Sequence, residues 1–83
     1  MTITHEQARA MVGQAVRRIV PDADIDGVPD DADLRRAFEL DSLDFLSFVE
    51  LLVADSGVRL DEDDYPELTT TAAAADLLAR RAP

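Results

Sequence analysis

The stretch that decides the fold is Leu40-Asp41-Ser42-Leu43-Asp44-Phe45-Leu46-Ser47-Phe48-Val49-Glu50-Leu51-Leu52-Val53-Ala54-Asp55-Ser56-Gly57. It reads as a helix that opens at Asp41 or Ser42, runs to about Asp55 and closes at Ser56-Gly57, where glycine suits a C-terminal cap. At about 100° per residue, Phe45, Phe48, Val49 and Leu52 fall on one face, the stripe expected to enter a core. Leu43, Leu46 and Val53 fall on a different side, together with Ser47, Glu50 and Ala54. A helix in a small bundle buries only part of its circumference. The second stripe must therefore pack under the chain that precedes it or stay open, and open apolar surface beside polar residues marks a docking site.

Upstream, Ala8, Met11, Val12, Ala15, Val16, Ile19 and Val20 recur at steps of three and four, the signature of an amphipathic helix. Thr4 is placed to cap it, with Gln7 at the capping-box position and Ile3 outside as a hydrophobic staple. Pro21 ends it. Residues 21 to about 40 form a long connection rich in aspartate and broken by Pro21, Gly27 and Pro29. Within it Leu34 and Phe38 stand four apart and predict a short helical turn pinned to the core. A loop of this length in so small a chain is functional or anchored by its own side chains.

Downstream, Asp61-Glu62-Asp63-Asp64-Tyr65 predicts a short acidic helical turn stopped by Pro66, its acids placed at the positive end. A last helix follows Thr69-Thr70-Thr71, packs through Ala74, Leu77 and Leu78, and carries Arg80 and Arg81 at its C-terminal end. Strand-like alternation and internal repeats are both missing from the pattern. The predicted fold is all-α: a four-helix bundle of three main helices and one short one, with a long first loop, forming a single domain over residues 1–83.

Composition narrows the function. The 83 residues carry 18 aspartates and glutamates against 8 basic residues, all arginine, for a formal net charge of −10. Such a surface repels nucleic acid and anionic membranes and favours partners with basic patches. With no cysteine, disulfides, zinc thiolate sites and cysteine nucleophiles are excluded. The start of the chain lacks the basic and apolar runs of a signal peptide, and no apolar stretch reaches bilayer length. A cytoplasmic monomer is the expectation.

Leu40-Asp41-Ser42-Leu43-Asp44, opening an apolar helix after a long acidic loop, resembles the phosphopantetheine attachment motif of acyl carrier proteins. The resemblance extends over nearly the whole chain: a capped amphipathic helix before the motif, then Gly57-Val58-Arg59-Leu60, an acidic turn to Tyr65, Leu68-Thr69-Thr70 and an Ala-rich last helix. It implies that a phosphopantetheinyl transferase attaches the 4'-phosphopantetheine arm of coenzyme A to Ser42. Acyl groups would then ride on the arm as thioesters while partner enzymes perform the chemistry, so the chain itself is not an enzyme. It also implies that Asp41, Leu43, Asp44, Leu46, Ser47, Glu50, Val53 and Ala54 face acyl-loading and acyl-processing partners, and that Phe45 and Phe48 shape any space for a folded-back acyl chain. A serine in the first turn of a helix suits a phosphodiester, because unpaired amides and the helix dipole favour an anion there.

The chain departs from the pattern in places. Ser47, Val53 and Ala54 stand where carriers of fatty acid synthesis often have acids, Glu39 where glycine is usual, and Thr71 where an apolar residue is usual. These differences point away from the housekeeping fatty-acid carrier and toward a dedicated polyketide, specialised lipid or other secondary-metabolite pathway. Peptidyl carriers and an unmodified, carrier-like binding subunit are the neighbouring readings. A different class is raised by Asp22, Asp24, Asp26, Gly27 and Asp33, which match the spacing of an EF-hand loop, with Asp30 at its ninth position. Its twelfth residue lacks the longer glutamate, Pro29 occupies a position where the loop uses an amide, and no second hand exists. The expectation is at most weak, adventitious divalent binding. The lone histidine, His5, has no nucleophile partner evident in the sequence, and Ser42 lacks the Gly-x-Ser-x-Gly elbow and downstream histidine of a hydrolase.

Overall fold

The first helix, α1 (His5–Ile19), starts at the cap its sequence provides. The Thr4 hydroxyl accepts the Gln7 amide at 3.0 Å and the Gln7 side chain accepts the Thr4 amide at 2.9 Å. Val20 turns extended before Pro21 and the helix ends. This computed structural model describes residues 2–82.

The long connection is tied down at several points. A single 3₁₀ turn, Ile25–Gly27, buries Ile25. Ile25 lies over Gly13 of α1, where an added Cβ would meet Ile25 Cγ2 at 3.2 Å. Arg9 of α1 then grips the same segment, donating to Asp30 at 2.7 Å and to Asp26 at 3.2 Å. The Arg9 guanidinium holds the Asp30 carboxyl below the usual carboxylate range. The loop is thus fastened to α1, as a loop anchored by its own side chains should be.

Its end forms α2 (Leu34–Ala37), capped by the Asp33 carboxylate, which accepts from the Arg35 and Arg36 amides. Leu34 is buried and Phe38 packs half-buried against the core. The chain leaves α2 through Glu39, whose φ of 54° is left-handed, and the Leu40 amide donates back to the Arg35 carbonyl at 2.9 Å. This is the outer, 6→1 bond of a Schellman-type closure, with glutamate at the position that glycine normally fills. The usual glycine thus has a backbone cause: a Cβ there meets the preceding carbonyl region.

The decisive helix, α3 (Ser42–Ser56), is capped by Asp41 and closed by Gly57 at φ 72°. Ser56 reinforces the stop, its hydroxyl donating to the Leu52 carbonyl at 2.6 Å and accepting from the Val58 amide at 3.0 Å. A second 3₁₀ segment, Glu62–Leu68, follows. Here the sequence expectation needs correction: Pro66 lies inside this segment and does not stop it. The φ that proline fixes falls within the 3₁₀ range, so the tightened helix takes it without strain.

The last helix, α4 (Thr71–Arg81), takes Thr70 as its cap, whose hydroxyl accepts the Ala73 amide. The acidic turn is bound to the far end of α4 by a two-pronged ion pair. Arg81 Nη1 and Nη2 each lie 2.7 Å from an oxygen of Asp64, a carboxylate only 6% exposed. The Asp61 amide donates to the same carboxylate at 2.9 Å. Arg81 first, then the Asp61 amide, hold Asp64 below the usual carboxylate range, against the opposing effect of burial.

α1 packs against both α3 and α4. The core between them takes Val12 and Val16 from α1, Phe48 and Leu52 from α3, and Leu77 and Leu78 from α4, with Leu34, Val58 and Leu68 contributed by the connections. Two backbone bonds, Leu34 N–H to Thr69 O and Ala72 N–H to Asp30 O, lace the long loop to the start of α4. Among the described residues there is an isolated bridge, Asp33 with Thr70, and no strand. The all-α bundle with three long helices and a long first loop is the one expected.

Candidate functional site

Ser42 is the first residue of α3 and is exposed. The capping box sits around it: the Asp44 amide donates to Asp41 Oδ1 at 2.8 Å and the Asp41 amide to Asp44 Oδ2 at 3.3 Å. The first-turn amides of Ser42 and Leu43 precede the intrahelical ladder, so they and the helix dipole favour an anion on the serine oxygen. On either side the chain is rooted in the core, by Leu40 at 5% exposure and Phe45 at 7%. The hydroxyl is therefore held outward on a fixed base.

Beside Ser42 runs a groove of about 390 Å³, mostly apolar, lined also by Arg35, Phe45, Leu46, Tyr65, Pro66 and Thr69. Phe45 forms its floor with Tyr65 set edge-on, the ring centres 5.5 Å apart at 82°. The Arg35 guanidinium lies over the Phe45 ring, 5.4 Å from its centre. Phe48 does not line this groove; it is fully buried in the core. Tyr65, Pro66, Thr69 and Arg35 went unread in the sequence as neighbours of Ser42. Folding of the acidic turn and the long loop onto α3 brings them there, and no local spacing encodes that.

The second stripe of α3 is open. Leu43 is 75% exposed and Leu46 42%, while Ser47, Glu50 and Ala54 are exposed and Val53 is half-buried. Of the two outcomes posed by the sequence, cover by the loop is thus not the one adopted at Leu43 and Leu46. Arg9 fastens the loop to α1 instead.

Three of the four EF-hand candidates have other employment, and the fourth lies open. Asp24 accepts the Gly27 amide, Asp26 pairs with Arg9, Asp33 caps α2, and Asp22 is exposed at the start of the loop. Among the described residues no three His, Cys, Asp or Glu side chains converge as metal ligands. His5 is exposed at the start of α1, and no histidine lines the groove beside Ser42.

A family model described as the phosphopantetheine attachment site matches residues 10–78, from α1 through most of α4. Domains of this family hold the 4'-phosphopantetheine prosthetic group and serve as carriers, not as catalysts. Comparison with curated proteins and with solved structures gives no match. Among the described residues no helix is long and apolar enough to cross a membrane.

Proposed function

The chain belongs to the phosphopantetheine-attachment family, and on that premise we propose that it is an acyl carrier protein whose arm is joined to Ser42. The observation that carries this reading is an exposed serine at the first position of a capped helix, beside an apolar groove. These residues suit the group. The Ser42 hydroxyl is open to a transferase, the first-turn amides and dipole of α3 favour the phosphodiester formed there, and the groove offers apolar wall to the chain beyond it. When bound, the arm supplies a thiol for thioester carriage, which accounts for a carrier without cysteine. What the chain's own residues do is present and orient: Asp41 and Asp44 fix the start of α3, and Leu40 and Phe45 anchor it.

Leu43, Leu46, Ser47, Glu50, Val53 and Ala54, with Asp41 and Asp44, form the surface offered to the transferase and to acyl-loading and acyl-processing enzymes. The net charge of −10 favours basic patches on those partners. An acyl cargo is preferred to a peptidyl one because of this acidity. A dedicated polyketide, specialised lipid or secondary-metabolite pathway is preferred because Ser47, Val53 and Ala54 leave α3 poor in acids on that side. Residues 1–83 act in this reading as one carrier domain, monomeric and cytoplasmic.

The test is intact-mass measurement after incubation with coenzyme A and a broad-specificity phosphopantetheinyl transferase. The expected result is a gain equal to one arm in the wild type and none in Ser42→Ala. No gain with several transferases, in folded protein, would refute the reading and leave an unmodified binding subunit.

A further inference from the structure

Arg35 is the one basic side chain among those lining the groove beside Ser42, and its guanidinium is held in place without being used up. Its ring-side face rests on Phe45, 5.4 Å from the ring centre. Its Nε makes a long contact, 3.5 Å, to the Leu40 carbonyl, and its own carbonyl accepts the Leu40 amide at 2.9 Å. Among the described residues its two terminal nitrogens donate to no other protein group, whereas Arg9, Arg80 and Arg81 each spend theirs on carboxylates. A guanidinium so stacked keeps its fork free and pre-set for an oxyanion. The charged groups at the start of α3, its cap Asp41 and the first-turn Asp44, are both acids, so an anion added at Ser42 would meet like charge with no other cation lining this groove.

We propose that Arg35 is the counter-ion of the arm, its terminal nitrogens binding the phosphodiester on Ser42. The proposal rests on Ser42 being the attachment residue. Arg35 here is a binding residue with a second, structural duty toward Leu40, and the test must separate the two.

Full-length wild type, Arg35→Gln and Arg35→Lys are each prepared without the arm and with it, and two quantities are read: the change in melting temperature on attachment and the phosphorus-31 resonance of the loaded protein. The wild type is expected to gain roughly 2–4 °C on attachment, the amount an exposed ion pair gives in a domain of this size. That gain should shrink in about 0.5 M salt. In Arg35→Gln the gain should vanish or reverse and the phosphorus resonance should move; Arg35→Lys should retain part of the gain. Equal gains on attachment in wild type and Arg35→Gln, with an unmoved resonance, would overturn the proposal and leave Arg35 as a support for Leu40 alone. If Arg35→Gln does not fold, salt dependence of the wild-type gain and the Arg35→Lys spectrum decide, a salt-independent gain and an unchanged spectrum counting against it. Failure of Ser42 to accept the arm is a separate outcome, seen in the mass before any melting is done.

Discussion

Replacing Glu39 with glycine should make this protein more stable, although the change removes a side chain and loosens the backbone. Glu39 sits at φ 54°, a conformation that costs an ordinary L-residue about 1–2 kcal/mol. Glycine avoids that cost but loses about 0.5–1 kcal/mol through its greater freedom in the unfolded chain. At the middle of both ranges the difference leaves a net gain of about 0.75 kcal/mol, which in a domain of this length raises the melting temperature by roughly 3–6 °C. Charge confuses the comparison, because any loss of an acid relieves repulsion in a chain of net charge −10. Glu39→Gln removes the charge and keeps the Cβ, so the backbone effect is the difference between the glycine and glutamine variants. Glu39→Asn should fall between them, since asparagine tolerates the left-handed region. Thermal melting followed by circular dichroism at fixed pH and salt reads all three. A glycine variant that melts no higher than the glutamine variant would refute the account of the turn between α2 and α3.

Asp41→Ala removes the cap of α3 and should cost about 1 kcal/mol in urea unfolding, within the usual range for such caps. Phe48→Ala empties the middle of the core and should cost about 3–5 kcal/mol, enough to leave a domain of this size close to unfolded at room temperature. Leu43→Ser, at a side chain 75% exposed, should leave stability within about 0.5 kcal/mol while slowing attachment of the arm in a transferase time course. Acid should act through Asp64. Arg81 holds its folded-state carboxyl below the ordinary value of 3.8, so as pH falls the unfolded chain takes the proton first. The stabilisation is therefore complete above about pH 4–5 and is lost as pH falls through the folded value. Melting temperatures measured across this range should drop less steeply in Arg81→Gln than in the wild type.

The parts of the fold that could be read from the chain were those encoded by neighbours in sequence. Thr4 and Gln7, the apolar steps from Ala8 to Val20, and the glycine after Ser56 each act within a turn or two, so the bounds of α1 and α3 followed from them. The two faces of α3 also followed, because helical geometry alone separates Phe45 and Phe48 from Leu43 and Leu46. What periodicity does not carry is which distant segments close on which. The placement of Arg35, Tyr65 and Thr69 around Ser42 depends on backbone bonds such as Leu34 to Thr69. Whether Leu43 and Leu46 are covered depends on where the long loop lies, and Arg9 pairs that loop with α1 through Asp26 and Asp30. Pro66 was misread for a different reason: proline stops an α-helix, but the segment it occupies is 3₁₀. Glu39 was visible as an odd residue in its motif, and only the φ angle explains the oddity.

The bare leucines of α3 have a consequence for timing. Leu43 and Leu46 are already exposed in the free protein, on a helix whose opposite face is locked into the core by Phe48 and Leu52. Among the described residues nothing covers that side, so in the proposed docking role the competent conformation would be the resting one and no fraction of the binding energy would go into selecting it. A succession of enzymes meeting this surface would then differ in how long each stays, with arrival set by diffusion and charge and residence set by the fit around two side chains. For a protein that must be handed on repeatedly, a surface that is always ready and held by only a few apolar contacts favours quick release as much as capture.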